Sequence, residues 1–139
     1  MDVLARLSDE HETLLPLIVD IQAAAEAGDN AALVARLLAG RTALTGELDA
    51  HIALEEDVVF TLIEKAVGEG LVTSFRTEHT EIRTLRDDVL AGADAGSVPV
   101  GLCLQLCDLI QAHMRREDTM LFPSANDALD PLTLELPLL

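Results

Sequence analysis

Residues 50–60 read AHIALEEDVVF and residues 112–122 read AHMRREDTMLF. Laid over each other at an offset of 62 positions, the two stretches share Ala, His, Glu and Phe, with acid on acid at Glu56 and Asp118. A second pair, 9–18 (DEHETLLPLI) over 77–86 (TEHTEIRTLR), shares a start of the Glu-His type at 10–11 and 78–79 and the helical spacing around it. The chain is a helical hairpin written twice. All four of its histidines fall inside the repeat, His11 with His79 and His51 with His113.

Working outward, apolar residues recur at alternating spacings of three and four, the signature of a helix with one buried face. The first stripe is Leu4, Leu7, His11, Leu14, Ile18, Ile21, Ala25. Ser8 is its expected N-cap, followed by acids that suit the positive end of the helix dipole, and Pro16 is expected to kink it or mark an irregular turn. Gly28-Asp29-Asn30 ends that helix and caps the next. The second region, about 31–67, carries Leu33, Leu37, Leu44, Leu48, His51, Glu55, Val58 and Leu62, with a break expected at Gly40. A third stripe, Val72, Phe75, His79, Ile82, Arg86, Val89, is expected to stop before Gly92. The fourth starts at Pro99, runs through Cys103, Leu106, Ile110, His113, Glu117 and Met120, and is expected to stop at Pro123. Four helices with short connections make an all-α, antiparallel up-down-up-down four-helix bundle over residues 1–125. Residues 126–139, with Pro131, Pro137 and several Leu, read as a tail that packs on the bundle or on a neighbour.

Composition agrees. A chain of 139 residues, 50% apolar, suits one domain with its own core. Three Phe with no Tyr or Trp fit a helical bundle and not a β-sandwich. The net charge of −16 repels phosphate backbones and anionic lipids, so neither nucleic acid nor a membrane surface is an expected partner. No signal-like segment or membrane span is read, which makes a cytoplasmic protein the expectation. Cys103 and Cys107, four apart on a helix, stand too far apart for an unstrained disulfide and read as small core residues; a redox-sensing thiol is the alternative.

His51-x-x-x-Glu55 and His113-x-x-x-Glu117 each place an imidazole and a carboxylate one turn apart on one helix face. A single inward His is usually a hydrogen-bonded core residue. Four of them on four inward stripes, two with carboxylates at i+4, would leave costly polar groups in a dry core unless a metal takes them up. Buried His–Glu salt bridges are the metal-free alternative. Six ligands in two equivalent halves, His11, His51, Glu55, His79, His113 and Glu117, point to two ions, each with two His and both bridged by the two Glu. Imidazole with carboxylate in a bundle interior suits iron, with manganese as second choice.

On these residues the chain resembles the hemerythrin-like family of HHE cation-binding domains, across about residues 4–125. The family pattern is a lone His on the first helix, His-x-x-x-Glu on the second, His on the third, and His-x-x-x-Glu or His-x-x-x-x-Asp on the fourth. Onto it fall His11; His51 with Glu55; His79; and His113 with Glu117 or Asp118, while Met120-Leu121-Phe122-Pro123 matches a common ending. Glu117 agrees with the repeat and needs no helix distortion; Asp118, like Glu56, otherwise reads as a solvated flank. Oxygen-carrying members have a fifth His four residues after the third-helix His, where this chain has Arg83, which cannot ligate iron. Arg83 would hold an anion in the site or pair with Asp87.

The resemblance implies two iron ions, Fe2+ or Fe3+, oxo- or hydroxo-bridged, that bind or react with O2, peroxide or nitric oxide, with Phe60 and Phe122 helping to exclude water. The vacant fifth position leans toward reactivity over reversible carriage. The alternative is a non-enzymatic iron-binding or iron-sensing module acting through a separate protein partner. Whether the protein turns over a substrate or only binds one is left open by the residues.

Overall fold

A computed structural model describes residues 2–135. Its first rod is α1, Val3–Glu26. The cap expected at Ser8 lies at Asp2, whose carboxylate accepts from the backbone N–H groups of Leu4 and Ala5 at 2.7 and 3.1 Å. The helix starts early because Val3, Leu4 and Leu7 are buried and extend the apolar stripe, while Asp2 satisfies the free amides. Pro16 does not interrupt the helix: it lies on the exposed face, where the carbonyl it leaves unpaired can reach water.

Gly28, at φ 67°, closes α1, and Asp29 caps α2, Asn30–Ala39, by accepting from the Ala32 amide. The break at Gly40 is present, and a β-carbon there would lie 2.9 Å from the Leu17 side chain. The second rod then continues through a π-helical segment Ala43–Glu47, α3 (Leu48–Leu54), a second π-helical segment Glu55–Phe60, and α4 (Thr61–Val67). The third rod is α5, Thr73–Asp94, which runs two residues past Gly92. Gly92 acts through close approach instead: its missing β-carbon leaves room for Ser97 O and Pro99, which would otherwise lie at 2.8 and 2.7 Å. The fourth rod is α6 (Val100–Arg116), a π-helical segment Glu117–Leu121 and α7 (Phe122–Ala128). Pro123 does not stop it, because proline sits in the first turn of α7, where no backbone donor is needed.

Consecutive rods are joined by short turns and pack in a ring: α1 on α2 and α6, α5 on α2 and α6, and α4 on α7. This is the antiparallel four-helix bundle. Leu134, in a short 3-10 turn at Pro131–Leu134, is buried, and Asp2 pairs with Glu135 in an isolated bridge. Pro137 lies outside the described residues.

The bundle has two apolar cores, each side chain in them contributing about 1.5–3 kcal/mol on burial. One is built on Ile18, Ile21, Leu37, Ile52, Leu106 and Ile110, the other on Leu7, Phe60, Ile63, Phe75, Leu121 and Phe122. Cys103 and Cys107 are free and buried in the first. In every rod the histidine falls at the boundary between the two cores, so a belt of polar groups crosses the bundle between them.

Candidate metal centre

The structure brings His11, His51, Glu55, His79, His113 and Glu117 into that belt, all buried. Ligand atoms of His11, His51, Glu55 and Glu117 lie within 4.8 Å of one another, and so do those of Glu55, His79, His113 and Glu117. The two quartets share both glutamates. His11 Nε2 stands 3.1 Å from His51 Nε2 and 3.1 Å from Glu117 Oε1. His51 Nε2 is 3.0 Å from Glu55 Oε1, His79 Nε2 is 3.5 Å from the same oxygen, and His113 Nε2 is 3.3 Å from Glu117 Oε1.

The outward nitrogen of each ring is also accounted for. His11 Nδ1 donates to Asp118 at 3.0 Å, His51 Nδ1 to Glu10 at 2.9 Å, His79 Nδ1 to Glu56 at 2.8 Å and His113 Nδ1 to Glu78 at 2.9 Å. A carboxylate oxygen accepts, so each Nδ1 carries a ring proton, and Nε2 is the nitrogen that each ring turns into the belt. The four contacts obey the internal repeat: Glu10 and Glu78 precede the first-helix type His, while Glu56 and Asp118 follow the inward Glu. Glu56 and Asp118 are therefore not solvated flanks. Glu10 and Glu78 are not among the six ligands that the sequence pattern picks out, although the repeated Glu-His dipeptide carries the signal. Further contacts hold the outer acids, with Ser8 Oγ donating to Asp118 at 2.7 Å and Arg116 pairing with Glu78.

Glu55 and Glu117 each begin a π-helical segment. The undistorted helix expected at Glu117 is thus absent from both repeats. The wider turn lets two adjacent acids diverge, Glu117 inward at 0% exposure and Asp118 behind His11, and π-bulges of this kind concentrate at functional sites.

Aromatic rings close the end toward the second core. Phe60 stacks on His79 at 5.4 Å, Phe122 on His11 at 5.9 Å, and Phe75 meets His113 edge-on at 5.6 Å. Arg83 does neither thing expected of it. It is half-buried and does not line the cavity at the site, and Asp87 pairs with Arg86 at 3.0 Å instead. The buried cation on this helix is Arg86, which also reaches Asp49 at 2.5 Å and the Leu44 carbonyl at 3.2 Å.

Burial and the neighbouring Glu117 push the Glu55 carboxyl well above the ordinary range. Glu117 is held well below it: burial opposes ionisation, but Glu55, His11 and His113 outweigh that. Burial and the charge of His113 lower His79 to about 4. Burial and His11 lower His51. His11 and His113 are raised, because Glu117 with Asp118, and Glu117 with Glu78, overcome the burial that works against their charge. Without a cation the belt is a frustrated cluster. Both oxygens of Glu55 and of Glu117, with Nε2 of His79 and of His113, have no hydrogen-bond partner.

A cation answers that frustration. Two imidazole nitrogens on one ion, each bond about 2.0–2.1 Å long, sit about 3 Å apart, the spacing of His11 and His51 Nε2. Inward ring nitrogens, orphaned carboxylate oxygens and outer carboxylates that orient the rings together define a buried cation-binding centre in a helical bundle.

The chain belongs to the hemerythrin HHE cation-binding domain family, whose model matches residues 2–125. It is 30% identical over 95 residues to the iron-sulfur cluster repair protein YtfE of Edwardsiella ictaluri, covering 59% of this chain and 43% of that one. It is 26% identical over 83 residues to a DNA nickase of Nostoc sp., covering 60% of this chain and 24% of that one. The chain thus spans less than half the length of either relative. No solved structure matches it. No helix among the described residues is long and apolar enough to cross a membrane.

Proposed function

We propose that this protein holds two iron ions in the belt and binds or reacts with O2, peroxide or nitric oxide there. The observation that carries the reading is the sharing of Glu55 and Glu117 between two histidine pairs, His11 with His51 and His79 with His113. A ligand set of imidazole and carboxylate favours iron, with manganese second. The name of the YtfE relative, an iron-sulfur cluster repair protein, supports iron as well. When bound, the iron pair supplies one-electron redox chemistry and open positions for a small ligand. The chain's own contribution is positional. Each Nδ1 proton is pinned on an outer acid, so every Nε2 stays free to ligate, while Phe60 and Phe122 cover two rings against water. Four protein ligands per ion leave room for an exogenous one.

The DNA of the nickase relative is not carried over, because a net charge of −16 opposes contact with a phosphate backbone. A second reading, an iron-binding or iron-sensing module working through a separate protein, is favoured by one observation. Glu55 and Glu117 open the segments that lead into α4 and α7, which pack on each other, so occupancy of the centre is linked to that end of the bundle.

Anaerobic reduction of the iron-loaded protein followed by O2, peroxide or nitric oxide separates the readings. Reoxidation with consumption of peroxide, or a new optical band with nitric oxide, supports the first. Iron that binds without reacting supports the second, and metal content unaffected by His51→Ala contradicts both.

A further inference from the structure

Between α1 and the stretch 43–52 a cavity of about 490 Å3 runs inward to the belt, where His11, His51, Glu55, His79, His113 and Glu117 all line its inner end. Between its rim and its inner end the walls are mainly aliphatic, formed by Leu14, Leu17, Ile52, Ile82, Ile110 and Met114, with Thr13 beside them. Leu14 is only half-buried although it lies on the inward stripe of α1, because it faces this space and not a packed neighbour. Ala43 and Ala50 keep the rim open on the opposite side, and Glu10 and Glu47 give it negative charge.

The volume takes in the belt end, where the ions would sit, and still exceeds what two ions and a diatomic ligand need. Such a molecule takes about the volume of one water, about 30 Å3 in the liquid. The cavity instead falls in the range of about 300–1,000 Å3 found for small organic ligands. Between the acidic rim and the belt, the stretch formed by these aliphatic side chains offers water few partners, whereas an aliphatic chain is favoured there. The acids at the rim disfavour a carboxylate head. Met114 adds a flexible wall that adapts to a chain's shape.

We propose that this cavity is a binding site for a neutral, slender aliphatic molecule, held along α1 and α3 with its inner end beside the belt. The inference goes beyond the iron reading and does not depend on which metal fills the centre.

The test uses the full chain, with metal content assayed in the same sample, titrated with 1-octanol and with octanoate by calorimetry and methyl NMR. Saturable binding of 1-octanol is expected, with shifts at Leu14, Ile52 and Met114, and binding of octanoate weaker by at least about tenfold. Ala50→Phe at the rim should weaken 1-octanol by about tenfold or more at unchanged metal content. Glu47→Gln, an exposed change that spares the fold, should narrow the preference against octanoate. Absence of saturable 1-octanol binding overturns the proposal, as does equal binding of octanoate or indifference to both variants. Metal-loaded protein that ignores 1-octanol sinks this inference and leaves the iron reading standing. Metal-free protein that binds 1-octanol does the reverse.

Discussion

Asp118 accepts from Nδ1 of His11 at 3.0 Å, one residue beyond Glu117, whose Oε1 faces Nε2 of the same ring at 3.1 Å. Two adjacent acids thus face one imidazole from both sides, Asp118 through a hydrogen bond and Glu117 by close approach. Glu56 holds Nδ1 of His79 at 2.8 Å, and Glu55 faces Nε2 of that ring at 3.5 Å. The π-helical turns make this division of labour by turning neighbouring side chains apart.

If the outer acids fix ring orientation and keep Nε2 basic, removing their charge weakens the centre without emptying it. Asp118→Asn and Glu56→Gln are each expected to lower metal affinity by about 10–100-fold with the fold intact. Competition against a chelator, alongside far-ultraviolet circular dichroism, measures this. An affinity equal to wild type in both variants would remove the outer acids from the account.

The shared glutamates make a distinct stoichiometric prediction. His51→Ala disturbs only the His11–His51 quartet, so the ion near His79 and His113 should remain. Glu55→Ala combined with Glu117→Ala strips ligands from both quartets and should abolish binding at both. Metal analysis of purified variants reads the difference directly.

For pH, the metal-free protein is informative. The folded His79 resists protonation until about 4, whereas the unfolded chain accepts the proton near 6.5. The unfolded state therefore binds more protons between those values. The neutral His79 contribution is complete above pH 6.5 and is lost as pH falls toward 4, amounting to about 3 kcal/mol. His11 and His113, raised in the fold, act oppositely: their contribution is present below 6.5 and fades as pH rises through their folded values. Between pH 6.5 and 4, denaturant melts of wild type should lose about 3 kcal/mol more than His79→Gln. Parallel curves would contradict the lowered value.

Gly92 tests the packing of the α5–α6 turn. A β-carbon there would meet the Ser97 carbonyl at 2.8 Å and Pro99 Cδ at 2.7 Å, neither able to swing aside. Gly92→Ala should cost about 1–3 kcal/mol in thermal or denaturant melts despite alanine's better helix propensity. A stabilised variant would mean that the turn relaxes freely.

The bundle is legible in the sequence because burial dictates a 3–4 spacing that any reader can count, and because the hairpin is repeated. The inward six are legible for the same reason, each standing on an apolar stripe. Helix ends are less so. Gly92 and Pro123 carry the usual stop chemistry, but one serves a close approach and the other fits the first turn of α7. The outer acids escape a stripe-based reading altogether. Glu10, Glu56, Glu78 and Asp118 sit at the edge of the buried face, where periodicity labels them solvent, and only their side-chain contacts reveal the role. Arg83 shows the converse, since helical spacing aims it inward while Arg86, one turn on, takes the buried position and the partner Asp87.

The central claim is that Glu55 and Glu117 serve two ions at once. Its most direct test is the metal content of protein reconstituted anaerobically with ferrous iron, with a Mössbauer spectrum after oxidation. The account predicts two irons per chain that are magnetically coupled through the shared bridges. A single iron, or two uncoupled ones that survive loss of both glutamates, would contradict it.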